Sequence, residues 1–214
     1  MKKIFFLFAV LVVGMWSLSA QSTCPAPASM NTIMHYPSWN SVQLQWEAAP
    51  DPTQSEIKWS TTTMGTRIGL ATGPVNLTGA VRFETSDLTA YNHHSITAVS
   101  FVPGGPAQGE PRPDCQYTVK IWRGGSHGSS YNAGTLVYSK VVTQELTENS
   151  LNTVLLDSAV AINPNQELWI GVQCVTTTTD PAYPLGASAN TTVAGKGELL
   201  NLGSSWMTLT QGGL

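Results

Sequence analysis

Apolar and polar residues alternate along much of this chain with the two-residue period of a β-strand. In Val42-Gln-Leu-Gln-Trp-Glu47, Val42, Leu44 and Trp46 fall on one face and Gln43, Gln45 and Glu47 on the other, the pattern of a half-buried strand. Four further runs follow one another: Tyr117-Thr-Val-Lys-Ile-Trp122, Thr135-Leu-Val-Tyr-Ser139, Asn152-Thr-Val-Leu-Leu156 and Glu167-Leu-Trp-Ile-Gly171. Each is rich in β-branched and aromatic residues and is bounded by Gly, Asn, Ser or Pro. Shorter strands are read at Ile57–Ser60, Arg67–Gly69, Ala80–Phe83 and Ser95–Val102, and one helical turn at Thr85–Tyr91 with Thr85 or Ser86 as its cap. The stretch Pro103–Asp114 carries Gly104, Gly105, Gly109 and four prolines and is a loop. Strands in this number and with this punctuation predict an all-β fold, an antiparallel β-sandwich.

The first twenty residues depart from that pattern. Lys2 and Lys3 precede an apolar stretch from Ile4 to Trp16, and small residues lead to Ala20, which reads as an export signal cleaved before Gln21. Cys24 stands near that cleavage region, but Gln21-Ser22-Thr23 is a poor lead-in for lipidation. No later stretch approaches the roughly 20 apolar residues a membrane-spanning helix needs, so no membrane span is expected. Charged residues make up only 11% of the chain and the formal charge is −3, more acidic once Lys2 and Lys3 leave. Without clustered Lys and Arg to displace counterions, nucleic acid is not an expected partner. Three cysteines remain, Cys24, Cys115 and Cys174, and their spacing does not choose a disulfide pair. Cys174 continues the alternation of Leu168, Ile170 and Val172, which suits either a buried small hydrophobe or half of a disulfide.

The motifs that carry chemistry elsewhere are incomplete here. Gly124-Gly-Ser-His-Gly128 has the letters of a nucleophile elbow after a strand, yet Ser129–Gly134 reads as a loop where the elbow demands a helix. His93 and His94 are adjacent and would point to opposite faces of a strand, and His35 and His127 stand alone, so no zinc set is read. Ala194-Gly-Lys-Gly197 lacks a full phosphate-binding loop and reads as a tight turn. Asp180, with Asn190 nearby, is the candidate calcium ligand, and no resident cofactor is otherwise expected.

The order of motifs carries a resemblance. Ile68-Gly69, Phe83 followed by Asp87-Leu-Thr-Ala-Tyr91, Ile96–Phe101, Tyr117–Gly124, Leu136–Ser139, Asn152–Leu156, Glu167–Gly171 and Val193-Ala-Gly-Lys-Gly-Glu198 occur in one sequence over about 150 residues ending near Trp206. In this order they resemble an adhesin-type accessory module, a jelly-roll-like β-sandwich of secreted and surface proteins of Bacteroidetes. Cys24-Pro-Ala-Pro27, the V-x-L-x-W run and Ala49-Pro-Asp-Pro52 resemble the opening of a fibronectin type III domain. The expected organisation is therefore a signal at 1–20, a Pro-rich, fibronectin type III-like segment at 21–55 and the sandwich at 56–214. The resemblance implies a further strand after Trp206, which the expected sandwich would lack. It also implies an exported protein of the cell surface or extracellular space, with the periplasm as the other destination.

The function expected from these readings is non-catalytic recognition of a glycan, a surface protein or a cell-envelope component. A structural spacer is the alternative, and a hydrolase at Ser126 is third. Trp122 falls on the face of its strand opposite Tyr117, Val119 and Ile121, so its indole is presented either to a sugar ring or to a covering loop, and Trp169 poses the same question. The ligand-binding candidates are Trp122, Tyr131, Asp180 and Tyr183, carried by loops at 124–134 and 176–190.

Overall fold

The computed structural model describes residues 29–36, 41–47, 55–60, 63–104, 114–178, 181–189 and 193–213. The export signal, Cys24, the Pro-rich lead, the centre of the 103–114 loop, Asp180 and Asn190 lie outside the described residues. Contacts divide the chain into two units, residues 1–57 and 58–214. In the first, β1 (Ser29–Tyr36) pairs antiparallel with β2 (Ser41–Glu47), with a register shift between Thr32 and Met34. The alternating run at Val42 is thus one arm of a hairpin.

The second unit is an antiparallel β-sandwich. Its strands are β3 (Met64–Leu70), β4 (Asn76–Phe83), β5 (Ser95–Phe101), β6 (Cys115–Arg123), β7 (Ser126–His127), β8 (Tyr131–Asn132), β9 (Thr135–Val141), β10 (Asn152–Ala161), β11 (Leu168–Thr176), β12 (Ala182–Ser188), β13 (Leu199–Asn201) and β14 (Trp206–Thr208). The larger layer has the order β7-β8-β14-β13-β4-β11-β6-β9. The ribbons β10-β5 and β12-β3 form the other layer, joined where Gly186 N donates to Val102 O at 2.8 Å and Gly104 N donates to Pro184 O at 2.7 Å. Between β3 and β6 the chain changes layer at each connection, as it does again from β9 to β13, which makes the sandwich jelly-roll-like.

Side-chain alternation fills the space between the layers. Leu168, Val172 and Cys174 of β11, Leu77 and Phe83 of β4, and Tyr117, Val119 and Ile121 of β6 point inward and are buried. From the other layer Ile96, Val99, Phe101, Val154 and Leu185 meet them. The Tyr117 hydroxyl donates to Pro184 O at 2.8 Å and its ring lies 5.4 Å from that of Phe101, so the two layers are tied by one hydrogen bond and one ring contact at the same residue. Each such fully buried aliphatic or phenyl side chain contributes about 1.5–3 kcal/mol, which is what turns a period-2 pattern into a fold.

Three sequence expectations are corrected here. Ile57–Ser60 is not a strand: the Trp59 indole stacks on Phe83 at 5.5 Å and its Nε1 donates to Arg82 O at 2.8 Å, so the segment docks by a side chain instead of a backbone ladder. Within the expected loop 176–190, Ala182–Ser188 form a strand, β12, whose Ala182, Pro184 and Leu185 are buried against the sandwich. The helical turn is α1 (Thr85–Leu88) followed by a 3-10 turn (Thr89–Tyr91), and its cap is Glu84, whose N–H donates to Asp87 Oδ2 at 2.8 Å, while Thr85 and Ser86 are exposed.

Candidate functional site

The outer face of the larger layer, turned away from the sandwich core, carries a second and smaller cluster. Trp169 of β11 stands in register with Trp122 of β6 on one side and Arg82 of β4 on the other. Trp169 is fully buried, with Ala80, Leu199 and Ala133 around it and half-buried Trp122, Tyr131 and Trp206 packed against it. The Trp169 and Trp206 rings meet edge to face at 5.2 Å, Trp122 and Trp206 at 5.6 Å, and Tyr131 and Trp169 at 6.5 Å. Such aromatic contacts add about 0.5–1.5 kcal/mol each beyond area burial. Exposed Leu136, opposite Trp122 on β9, extends the apolar surface.

The glycine-rich segment after β6 is the lid of this cluster. Ser126 pairs with Asn132 and His127 with Tyr131, and Tyr131 then pairs with Trp206 of β14, so the β7-β8 hairpin lies along the outer face. Gly125 is required there, because a Cβ at this position would lie 2.5 Å from Trp169 Nε1 and 2.6 Å from Asn132 O. His127 and Tyr131 rings lie 4.9 Å apart at the exposed end of the hairpin. Ser126 is exposed in the two-residue β7 with a hairpin following it.

Beside the aromatic cluster lies a buried ionic one. The Arg82 side chain is 4% exposed and its guanidinium donates to Glu167 through Nε at 2.8 Å and Nη2 at 2.9 Å, to Glu84 through Nη2 at 2.7 Å, and to Gly195 O through Nη1 at 3.1 Å. Glu167 Oε2 also accepts from Trp169 Nε1 at 3.1 Å, which links the two clusters. Lys196 closes the other end: its Nζ lies 2.8 Å from Asp87 Oδ2 and 3.2 Å from Glu84 Oε2, and 5.0 Å from the centre of the Trp59 ring. The Arg82 hydrogen bond, with that of Lys196, holds the Glu84 carboxyl below its usual range. Burial would raise Glu167, but hydrogen bonds from Arg82 and Trp169 outweigh it and its pKa is also lowered. Every polar arm of Arg82 described above is engaged within the protein, so this cluster fastens α1, β4, β11 and the 194–197 turn to one another.

Of the residues singled out in the sequence, Trp122 and Tyr131 come together on the outer face. Tyr183 does not join them: it is half-buried on β12, with its backbone against Gly69 and Gly104. Asp180 lies outside the described residues. Arg82, Glu167 and Lys196 went unassigned, although an arginine inside the apolar run Ala80–Phe83 and a glutamate two residues before a strand tryptophan were signs that one face carries a buried charge pair. Trp206 carries no signal of its own in the sequence, where it only closes the order of motifs. Among the described residues no group of three or more His, Cys, Asp or Glu is placed to hold a metal ion, and no helix is long and apolar enough to cross a membrane.

Compared with protein-family models, with curated proteins and with solved structures, the chain finds no match in any of the three. The described residues define an all-β sandwich.

Proposed function

We propose that this protein is an exported, non-catalytic recognition module of adhesin type, which holds a glycan or a surface-protein segment on the outer face of its larger layer. The observation that carries the reading is the group of half-buried rings, Trp122, Tyr131 and Trp206, gathered beside exposed Leu136 on one sheet face. Aromatic faces offer large contact area at little entropic cost, and a chain with 11% charged residues leaves stacking and neutral hydrogen bonds as its chief means of binding. The order of strand motifs that resembles the surface modules of Bacteroidetes supports the same class, as does the export signal read at residues 1–20. The non-catalytic part rests on Ser126, which stands exposed on a hairpin with no helix behind it to supply an oxyanion hole.

Glycan-array binding followed by intrinsic fluorescence titration tests the reading. Trp122→Ala and Trp206→Ala should each weaken binding at least tenfold while the variants stay folded by circular dichroism. A folded Trp122→Ala protein that binds unchanged would refute the assignment of the site. The edge-to-face packing of these rings on buried Trp169 favours a second reading, a structural spacer. In that case no glycan or surface protein binds, and the same substitutions change only the melting temperature.

A further inference from the structure

The thiols of Cys115 and Cys174 sit at one end of the sandwich, on the neighbouring strands β6 and β11. Cys115 is in register with Thr176, and Cys174 with Tyr117. The two cysteines are therefore diagonal neighbours, and both point to the inner face with Tyr117. Cys174 is fully buried, whereas Cys115, the first residue of β6, is half-buried and borders a cleft of about 400 Å³ with Asp114, Gln144 and Glu145. The Cys115 thiol donates to Gln116 O at 3.6 Å, and the Tyr117 hydroxyl, on the same face, donates to Pro184 O. The register thus brings the two thiols to the same end of the same face.

We propose that Cys115 and Cys174 are an oxidisable pair, in which a low-molecular-mass disulfide entering the cleft reacts first at Cys115 and leaves a cross-strand disulfide between β6 and β11. The difference in accessibility sets the order of events. Hydrogen bonding from Cys174 outweighs burial and lowers the Cys115 pKa, while burial raises that of Cys174. The Cys115 thiolate attacks one sulfur of the disulfide reagent, forming a mixed disulfide and expelling one thiolate. Cys174 then loses its proton and attacks the Cys115 sulfur, and the second thiolate leaves. Two electrons and two protons pass to the reagent, which departs as two thiols. A diagonal pair starts farther apart than a relaxed disulfide, about 7–8 Å between Cα atoms against at most about 6.8 Å. Closure therefore draws Cys115 inward, a displacement that the terminal residue of a strand can make without breaking the ladder behind it.

The experiment treats the fully reduced full-length protein with oxidised glutathione under native conditions, quenches with acid, alkylates, and maps the cysteines by intact mass and peptide mass spectrometry. The wild-type chain should lose two hydrogens and give a peptide linked between Cys115 and Cys174, with Cys24 alkylated. Cys174→Ala should instead retain glutathione at Cys115, and Cys24→Ser should behave as wild type. A wild-type product that stops at a glutathione adduct, a link through Cys24, or an unmodified Cys115 each overturns the proposal. The wild-type map decides the matter even if Cys174→Ala fails to fold.

Discussion

Arg82 is the residue on which the outer cluster turns. A guanidinium so nearly enclosed is tolerable because Glu167 meets it with two hydrogen bonds and Glu84 and Gly195 O accept one each. Arg82→Met should destabilise the fold by about 3–5 kcal/mol in urea unfolding, because Glu167 is then a buried charge without its partner. Changing Glu167→Met as well should recover a large part of that loss; a double variant as unstable as the single one would mean that packing, and not charge, is what Arg82 supplies. The pH dependence follows from the carboxylates. The folded-state pKa values of Glu84 and Glu167 lie below the ordinary value of 4.5, so the stabilisation they bring is complete above that pH and disappears as pH falls toward the folded values. Glu167→Gln should therefore flatten the loss of stability measured below pH 4.5, the upper bound set by that ordinary value.

At the scale of the element, the β7-β8 hairpin joins the sequence motif to the candidate site. Gly124-Gly-Ser-His-Gly128 begins with two glycines for a packing reason visible only from Trp169: the link from β6 into the hairpin passes the indole with no room for a side chain at 125. Gly125→Val should lift the hairpin, cost about 1–3 kcal/mol and alter tryptophan fluorescence while the far-ultraviolet signal stays β. Gly128 is the matched control, since nothing lies within 4 Å of the Cβ it would acquire. Gly128→Val should shift stability by no more than about 0.5 kcal/mol. Equal effects at the two glycines would show that the hairpin responds to backbone stiffness and not to contact with Trp169. The same scale explains β12, whose Ala-Tyr-Pro-Leu-Gly-Ala-Ser segment has no clean alternation, because its pairing with β3 shifts register between Ala182 and Leu185 and again between Ala187 and Ser188.

For the sandwich as a whole, the two layers also meet at an edge. On one side β9 of the larger layer and β10 of the smaller one approach, and Lys140 of β9 reaches Asp157 Oδ1 and Leu155 O of β10. Asp157 is 71% exposed, so the ion pair works in high dielectric and against side-chain entropy. Asp157→Ala should lower stability by less than about 1 kcal/mol, read from the urea midpoint. A larger loss would mean that the clasp between the layers, and not the core, limits the stability of the molecule. Leu155 and Val141 remain exposed beside that clasp, on the edge strands of the two layers.

Period-2 alternation determined by itself that the chain is all-β; it placed β6 and β9 close to their observed ends and β10 and β11 close to their observed starts, whereas these last two strands run on to Ala161 and Thr176. It also put Tyr117, Val119 and Ile121 on one face and Trp122 on the other, because strand geometry alone decides which side chains share a face. Which face is covered, and by what, was decided only by the tertiary structure. Trp169 is buried because a hairpin distant from it in sequence folds back over it, and Trp206 joins Trp122 through β14 and β13, neither of which has a run long enough to show a period. Cys115 and Cys174 became a pair only through the register of β6 against β11, and Arg82 and Glu167 only through that of β4 against β11. A strand's pattern reports its own two faces; its neighbours are chosen by long-range pairing, on which local propensity is silent.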